Sequence, residues 1–383
     1  MKVALGIKGI GSISALGHER AAIVQESAST THAMQKQDEW CSRIPELSEA
    51  YLDEVCSSKR IKPLDRVVKL SIAAGKQALE QSGFDPAETG LLIGTSRGAQ
   101  ETQEHLFADF DSGKRLNPNG SPRTTLGNIA SETAAALGIK GYSHAMSQTC
   151  SSGFQAILQA ASWIEAGWAK RFIVIGAEAP LTPYFTQQMA AMKIYSNRTE
   201  GYPNLSLDLQ KKENTFILGE GAVAIAIEKK EEGTNYLATI SGLGFGRETG
   251  SHAASINANG KALQDAMKMA LQEHTSIDGI VAHSPGTIQG DLAENKAIQS
   301  ITNKVLNNSD STIPVTGNKW KIGHTLGASG MFSLELGITM FARKEWIPVP
   351  YLNAPTPAPP KKLLINAQGF GGNAVSLVLD KEQ

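Results

Sequence analysis

Cys150 is the residue whose type and setting could do the most demanding chemistry in this sequence. The run Gly141-Tyr142-Ser143-His144-Ala145-Met146-Ser147-Gln148-Thr149 before it reads as a strand. With Ser151-Ser152-Gly153 it opens a helix in which Phe154, Ile157, Leu158, Ala161 and Ile164 recur at helical spacing. A cysteine on such an elbow meets free backbone N–H groups and the positive end of the helix dipole, which stabilise a thiolate. A thiolate could hold an acyl group as a thioester. The bland alternative is a small buried hydrophobe, as most free cysteines are. Cys150 alone does not decide between them.

Two further segments carry a histidine among glycines and small residues. One is Ala282-His283-Ser284-Pro285-Gly286-Thr287, continuing through Gly290, Asp291 and Glu294. The other is Lys319-Trp320-Lys321-Ile322-Gly323-His324-Thr325-Leu326-Gly327-Ala328-Ser329-Gly330. Small neighbours let backbone and ligand approach closely. A lone histidine is more often a satisfied core or surface residue. Two of them, in the half of the chain opposite a helix-capping cysteine, make coincidence a poorer account. The histidines lack paired ligand spacing on one helix, so no metal site is expected.

An internal repeat supplies the elements that would position these groups. Ile7-Lys8-Gly9-Ile10-Gly11 followed by Gly17 resembles Ile240-Ser241-Gly242-Leu243-Gly244 followed by Gly250. A helix comes next in each copy, Asp65 to Ser82 and Lys261 to His274; Val68, Ile72, Gly75 and Leu79 mark the apolar stripe of the first. Each helix leads into a buried strand, Gly90 to Gly94 and Gly279 to His283. Gly219 to Glu228 and Gly371 to Asp380 close the halves as matching turn-and-strand segments. The expectation is two similar α/β halves, 1–233 and 234–383, each with helices covering a mostly parallel sheet. A site would sit on their seam. Ser96 to Pro122 is polar and reads as an insertion near a site or interface, and Pro348 to Pro360 as an extended connector.

The bulk properties exclude several classes. The chain has 383 residues, 41% hydrophobic, with a net charge of -1 and no long run of one sign. Charge therefore gives no reason to expect a nucleic-acid partner. No stretch approaches ~20 continuous apolar residues, so no membrane span is expected. Gly6, Lys8 and Gly9 interrupt the first apolar run too early for a signal-peptide core, and it reads as a first strand. Cys41, Cys56 and Cys150 are the only cysteines, a sparse, odd set that fits a reducing compartment, the cytoplasm by default.

Taken together, Thr-Cys-Ser-Ser-Gly around Cys150, His-Ser-Pro-Gly-Thr-(x)2-Gly-Asp-(x)2-Glu from His283, and Lys-(x)3-Gly-His-(x)2-Gly-Ala-Ser-Gly from Lys319 resemble the β-ketoacyl synthase family, of its elongating Cys-His-His kind. Leu64-Asp65-Arg66, Phe216-Ile217-Leu218-Gly219-Glu220-Gly221-Ala222 and Gly369-Phe370-Gly371-Gly372-Asn373 resemble further signatures of it, in the family's order over about residues 1–380. The resemblance implies a thiolase-like duplicated five-layer α-β-α-β-α fold, normally dimeric, as a homodimer or as a heterodimer with a related subunit. It implies that Cys150 accepts an acyl group from a carrier thioester and that His283 and His324 stabilise the enolate of a malonyl unit on an acyl carrier protein. The backbone N–H groups of Cys150 and Phe370 would form the oxyanion hole. Lys319 matches the family's lysine, and Asp291 and Glu294 its acidic residues, as an ionic network fixing His324. Phe370 resembles the gating phenylalanine, its flanking glycines supplying the backbone freedom a swing requires. Thr287, Arg97 and Gly371 fall at the substrate. No cofactor is implied, because phosphopantetheine arrives on the carrier.

Departures from the pattern carry information. Pro285 replaces a hydroxyl residue at the pantetheine arm, while Thr287 keeps the second one. Ser333 stands where many relatives have Glu, and Gln368 where they have Phe. Arg97, near the gate of the acyl pocket, is odd for a long saturated chain. It leads us to expect a shorter, polar or unsaturated acyl group, in fatty acid, polyketide or aryl polyene-type biosynthesis. An initiating synthase would pair Cys with His and Asn, which His324 contradicts, and a degradative thiolase needs a later cysteine, which is absent. A non-catalytic chain-length-factor-like partner subunit is the alternative; such subunits typically lose the nucleophile that Cys150 supplies.

Overall fold

The computed structural model describes residues 2–36, 39–250, 255–305 and 313–382. Among them, ten strands build one sheet: β1 (Lys2–Ile13), β2 (Gly90–Gly94), β3 (Ser143–Met146), β4 (Arg171–Glu178), β5 (Gly221–Lys229), β6 (Ala238–Arg247), β7 (Gly279–Val281), β8 (Val315–Thr316), β9 (Lys362–Gly369) and β10 (Asn373–Asp380). From the centre outward the order is β1-β5-β4-β2-β3 on one side and β6-β10-β9-β7-β8 on the other. The same order thus occurs twice, and β1 joins the two by pairing antiparallel with β6, Leu5 opposite Ile240.

The strands are not mostly parallel, as their apolar runs led us to expect. In each half only the outer pairs are parallel, β2 with β3 and β4, and β7 with β8 and β9. The inner pairs, β1 with β5, β5 with β4, β6 with β10 and β10 with β9, are antiparallel. Gly221 to Ile227 of β5 is buried without alternation. A continuous apolar run reports cover on both faces, whatever the direction of the neighbouring strand.

Helices provide that cover. α1 (Arg66–Ser82) and α2 (Leu126–Leu137) form one outer layer, where Val68, Ile72 and Ile129 pack with Ile93 and Ile175. α4 (Lys261–Ala270) and α5 (Ile288–Val305) form the other, where Leu263, Met267 and Ala297 pack with Ile280 and Leu364. Between the sheet halves lie α3 (Ser152–Glu165) and α6 (Ser329–Arg343), with Phe154, Ile157, Met331 and Leu334 in one cluster with Val174 and Ile365. The layers therefore run α-β-α-β-α. Every residue of α6 from Ser329 to Phe341 is buried, and its few polar residues are small apart from Glu335, which pairs with Arg20.

Local chemistry sets the helix ends. The Asp65 carboxylate accepts the Val67 N–H and caps α1, which ends at Gly83 with φ +67°. Arg66 then reaches back, with Nε 2.7 Å from Glu220 Oε2 and Nη2 2.5 Å from Glu49 Oε1. Two of the sequence signatures are thus halves of one charge-assisted pair. Ser96 to Pro122 folds into helices over Gln100–Asp111 and Gly120–Thr124. One expectation is corrected: the second-half helix stops at Ala270, short of His274. Among the described residues no helix is long and apolar enough to cross a membrane.

A close approach ties β2 to the start of α3, because a Cβ at Gly94 would overlap the Ser152 carbonyl. Gly94→Val is therefore expected to lower unfolding stability by about 1–3 kcal/mol, the usual overpacking penalty. Urea unfolding of the two proteins checks this; an unchanged midpoint would show that the α3 turn yields freely.

Candidate active site

Cys150 lies on the turn between β3 and α3. β3 ends at Met146, earlier than the predicted strand, and α3 begins at Ser152, so Cys150 precedes the helix rather than opening it. The Gln148 N–H donates to Ser152 Oγ (2.9 Å), and Thr149 takes a φ of +52° that non-glycine residues rarely adopt. Strain at this elbow is retained because Thr149 Oγ1 also donates to the Phe370 carbonyl (2.9 Å). That bond lays the loop after β9 against the Cys150 turn. A Cβ at Gly369 would overlap Thr149 Oγ1, so the contact requires glycine. The backbone N–H groups of Cys150 and Phe370 lie beside the Cys150 sulfur and favour its charged form.

His283 leaves β7 on a loop held by Glu294 of α5. Its N–H donates to Glu294 Oε1 (2.9 Å) and the Ser284 N–H to Oε2 (2.6 Å), while Asn366 Nδ2 donates to Oε1 (3.1 Å). Ser284 carries a φ of +23°. Asp291 secures the next turn, accepting the Gly286 N–H (3.0 Å), the Leu207 N–H (2.9 Å) and Lys211 Nζ (2.7 Å). Neither acid is hydrogen-bonded to His324; each supports the His283 loop by hydrogen bonds and acts on Lys319 through its charge.

His324 is fixed by its own segment instead. Its N–H donates to the Ile217 carbonyl (2.7 Å), and its carbonyl accepts the Gly219 N–H (3.1 Å). The Leu326 N–H donates to its Nδ1 (2.9 Å), and Leu326 has a φ of +41°. An occupied Nδ1 lone pair puts the proton of the neutral ring on Nε2. His324 Nε2 lies 3.4 Å from His283 Nε2. The three residues line a single cavity of about 160 Å³ together with Phe370, Thr287 and Arg97.

Residues 8–233 match the family model for the beta-ketoacyl synthase N-terminal domain, and 237–353 match the C-terminal one. This chain belongs to the β-ketoacyl synthase family. It is 28% identical over 358 residues to the 3-oxoacyl-[acyl-carrier-protein] synthase 2 of Vibrio harveyi, spanning 86% of this chain and 85% of that one. Its fold is similar to that of the ishigamide ketosynthase/chain length factor (TM-score 0.85, 16% identity, all of both chains). It is similar too to a beta-ketoacyl synthase from Burkholderia phymatum (TM-score 0.81, 22% identity, all of both chains).

Burial sets the charge states in this member of the β-ketoacyl synthase family. Both imidazoles are held well below the usual histidine range, first by desolvation and then by the Lys319 charge. Both are therefore neutral at pH 7, with the His324 proton on Nε2. His283 Nδ1 is buried without a partner. Lys319 Nζ is likewise buried without a hydrogen-bond partner, and desolvation pulls it down to about 8 against the charges of Glu294, Cys150 and Asp291. The Cys150 thiol is pushed up to about 12 by burial and by Glu178; Lys319 and the two amides only partly offset this. The expected low-pKa thiolate is thus replaced by a resting thiol, because leaving water outweighs two amide donors and one cation.

Of the remaining predicted residues, Thr287 Oγ1 accepts the Gly290 N–H (3.2 Å). Gly371 is absent from the cavity lining; it has a φ of +85° in the turn after Phe370. Sequence reasoning missed Glu178, whose carboxylate takes the Ser96 (2.7 Å), Arg97 (3.0 Å) and Gly327 (3.0 Å) N–H groups and is pushed by burial to about 7. A single acid ending the apolar run of β4 was the available signal. Lys211 was missed as well, and nothing in its neighbourhood of mixed charges marks it.

Alkylation of the Cys150 peptide by iodoacetamide is expected to rise continuously between about pH 7 and pH 10. Lys319→Met should slow it further, since that cation lowers the thiol pKa. A plateau below about pH 8, read by mass spectrometry, would mean a preformed cysteine–histidine ion pair and contradict these charge states.

Proposed function

We propose that the chain is a β-ketoacyl-[acyl-carrier-protein] synthase that condenses an acyl group on Cys150 with malonyl acyl carrier protein, with loss of carbon dioxide. The observation that carries this reading is the convergence of Cys150, His283 and His324 on one cavity, with the two Nε2 atoms 3.4 Å apart.

In the first step the Cys150 sulfur bonds to the acyl carbon and the carrier's carbon–sulfur bond breaks. The thiol proton leaves with the pantetheine sulfur. The resting thiol makes this exchange depend on the incoming thioester carbonyl, held by the N–H groups of Cys150 and Phe370. In the second step malonyl thioester enters past Thr287. Its carboxylate leaves as carbon dioxide, and the electrons of that carbon–carbon bond pass to the enolate. An oxygen between the two imidazoles accepts both Nε2–H groups, and donors of this kind are each worth about 3 kcal/mol when aimed at developing charge. The carbanion then attacks the Cys150 thioester, and the sulfur departs and regains a proton. Neutral histidines suit this role, since a cationic imidazolium would cost far more to bury.

No cofactor enters the scheme, because the pantetheine arm comes with the substrate. A role as an inactive partner subunit is less well supported, since the nucleophile lines the same cavity as both histidines. β3 is the terminal strand of the sheet, with His144 exposed. An open edge of that kind supports a dimer formed along β3, with a second copy or a related subunit. The three cysteines are buried and free, which fits work in the cytoplasm.

Cys150→Ala is expected to abolish condensation while leaving malonyl decarboxylation measurable, because the enolate donors remain. His324→Ala should lose decarboxylation but retain part of the acyl transfer to Cys150. Radiolabelled carbon dioxide release and intact-mass acylation read the two steps separately. Condensation surviving in Cys150→Ala would remove the cysteine from its role, and equal loss of both steps in His324→Ala would make that histidine structural.

A further inference from the structure

Arg97 faces the cavity, and its backbone and side chain are held differently. The backbone N–H belongs to Glu178 (3.0 Å). The guanidinium lies over Phe185, its central carbon 4.5 Å from the ring centroid. Its Nε and Nη2 both donate to Gln100 Oε1 (3.2 and 3.0 Å), and Nη2 makes a long contact with Gln188 Oε1 (3.5 Å). Both acceptors are neutral amides. Among the described residues Nη1 has no hydrogen-bond partner, and the guanidinium forms no ion pair.

The nearby carboxylates are already committed. Glu178 accepts backbone and hydroxyl donors, Thr95 Oγ1 included (3.1 Å). Glu104 takes Gln100 Nε2 (2.9 Å), Thr182 Oγ1 (2.5 Å) and the Tyr184 N–H (3.2 Å). A half-buried cation whose Nη1 is free and whose Nη2 meets only neutral amides is thus left without a counter-charge, in a cavity with Phe185, Met189 and Phe216 on its walls. Gln368 adds a second unpartnered group, its Nε2 buried and donating to nothing while the residue lines the same cavity. A hydrocarbon chain would desolvate both without giving either a partner, the arrangement a binding site penalises most.

We infer that Arg97 selects acyl groups carrying a carboxylate at the end remote from the thioester, received as a two-pronged ion pair on the Nη1–Nη2 edge. The planar fork matches carboxylate geometry, and Gln100, Gln188 and Phe185 orient it in advance. The inference rests on the ketosynthase reading, since it names the acyl class that Cys150 receives. Arg97 acts as a specificity residue and takes no part in bond making.

The test uses pantetheine thioesters of hexanoate and of adipate, equal in chain length and differing in the terminal carboxylate. Acylation of Cys150 is followed by intact mass, with Cys150→Ala as the blank. The wild-type protein should load adipoyl at least about tenfold faster than hexanoyl, as expected for a charge-assisted pair out of water. Arg97→Leu should reverse the order, and Arg97→Lys, which keeps the charge without the fork, should retain a weakened adipoyl preference. Should Arg97→Leu fail to fold by circular dichroism, the Lys variant and the wild-type ratio decide. Hexanoyl loading as fast as adipoyl in the wild type, or equal ratios in all three proteins, overturns the inference and leaves the ketosynthase reading intact. Loading of neither thioester by a folded wild-type protein would overturn both.

Discussion

The packing of α3 against α6 is the contact on which the rest of the molecule depends. A Cβ at Gly153 would stand 3.1 Å from the Gly327 carbonyl, and one at Gly330 would stand 2.9 Å from Phe154 Cδ1. Ser329 Oγ donates to the Cys150 carbonyl (3.3 Å). Both helices begin beside this contact, and the segments leading into them carry Cys150 and His324. Each helix comes from the equivalent place in one half of the duplicated fold. Close packing of two small-residue surfaces therefore brings Cys150 and His324 together without long-range guidance from either one.

Burial is the second consequence of that packing. A seam dry enough to align the groups also removes their charges. The thiol rises, the lysine falls and the imidazoles lose their protons, each in the direction desolvation dictates. The result is a neutral thiol and two neutral imidazoles on one cavity. Strained residues recur at each of the three positions, Thr149, Ser284 and Leu326, all at positive φ. The surrounding bonds over-determine these turns, which directs side chains that an unstrained loop would leave averaged over several rotamers.

Support for the site comes from outside the segments that carry it. Glu294 and Asp291 hold the His283 loop, Glu178 collects amides from the Arg97 and Gly327 turns, and Lys211 pairs with the buried Asp291. Membership in the β-ketoacyl synthase family accounts for the fold; the uncompensated Arg97 and unpartnered Gln368 distinguish the polarity of this cavity from a purely apolar one.

Much of this was legible beforehand. Apolar period and repeated glycine turns are local properties, so the helices, the duplication and the candidate residues Cys150, His283, His324 and Lys319 could be read from residue order. Strand direction could not, because a run buried on both faces looks alike beside a parallel or an antiparallel neighbour. Neither could the pairing of Asp291 with Lys211, distant in sequence, nor the tautomer of His324, which a backbone amide decides. The thiol charge state was misread for the same reason. A helix start argues for a thiolate, but desolvation depends on every atom that folding brings near, and only the assembled layers determine that sum.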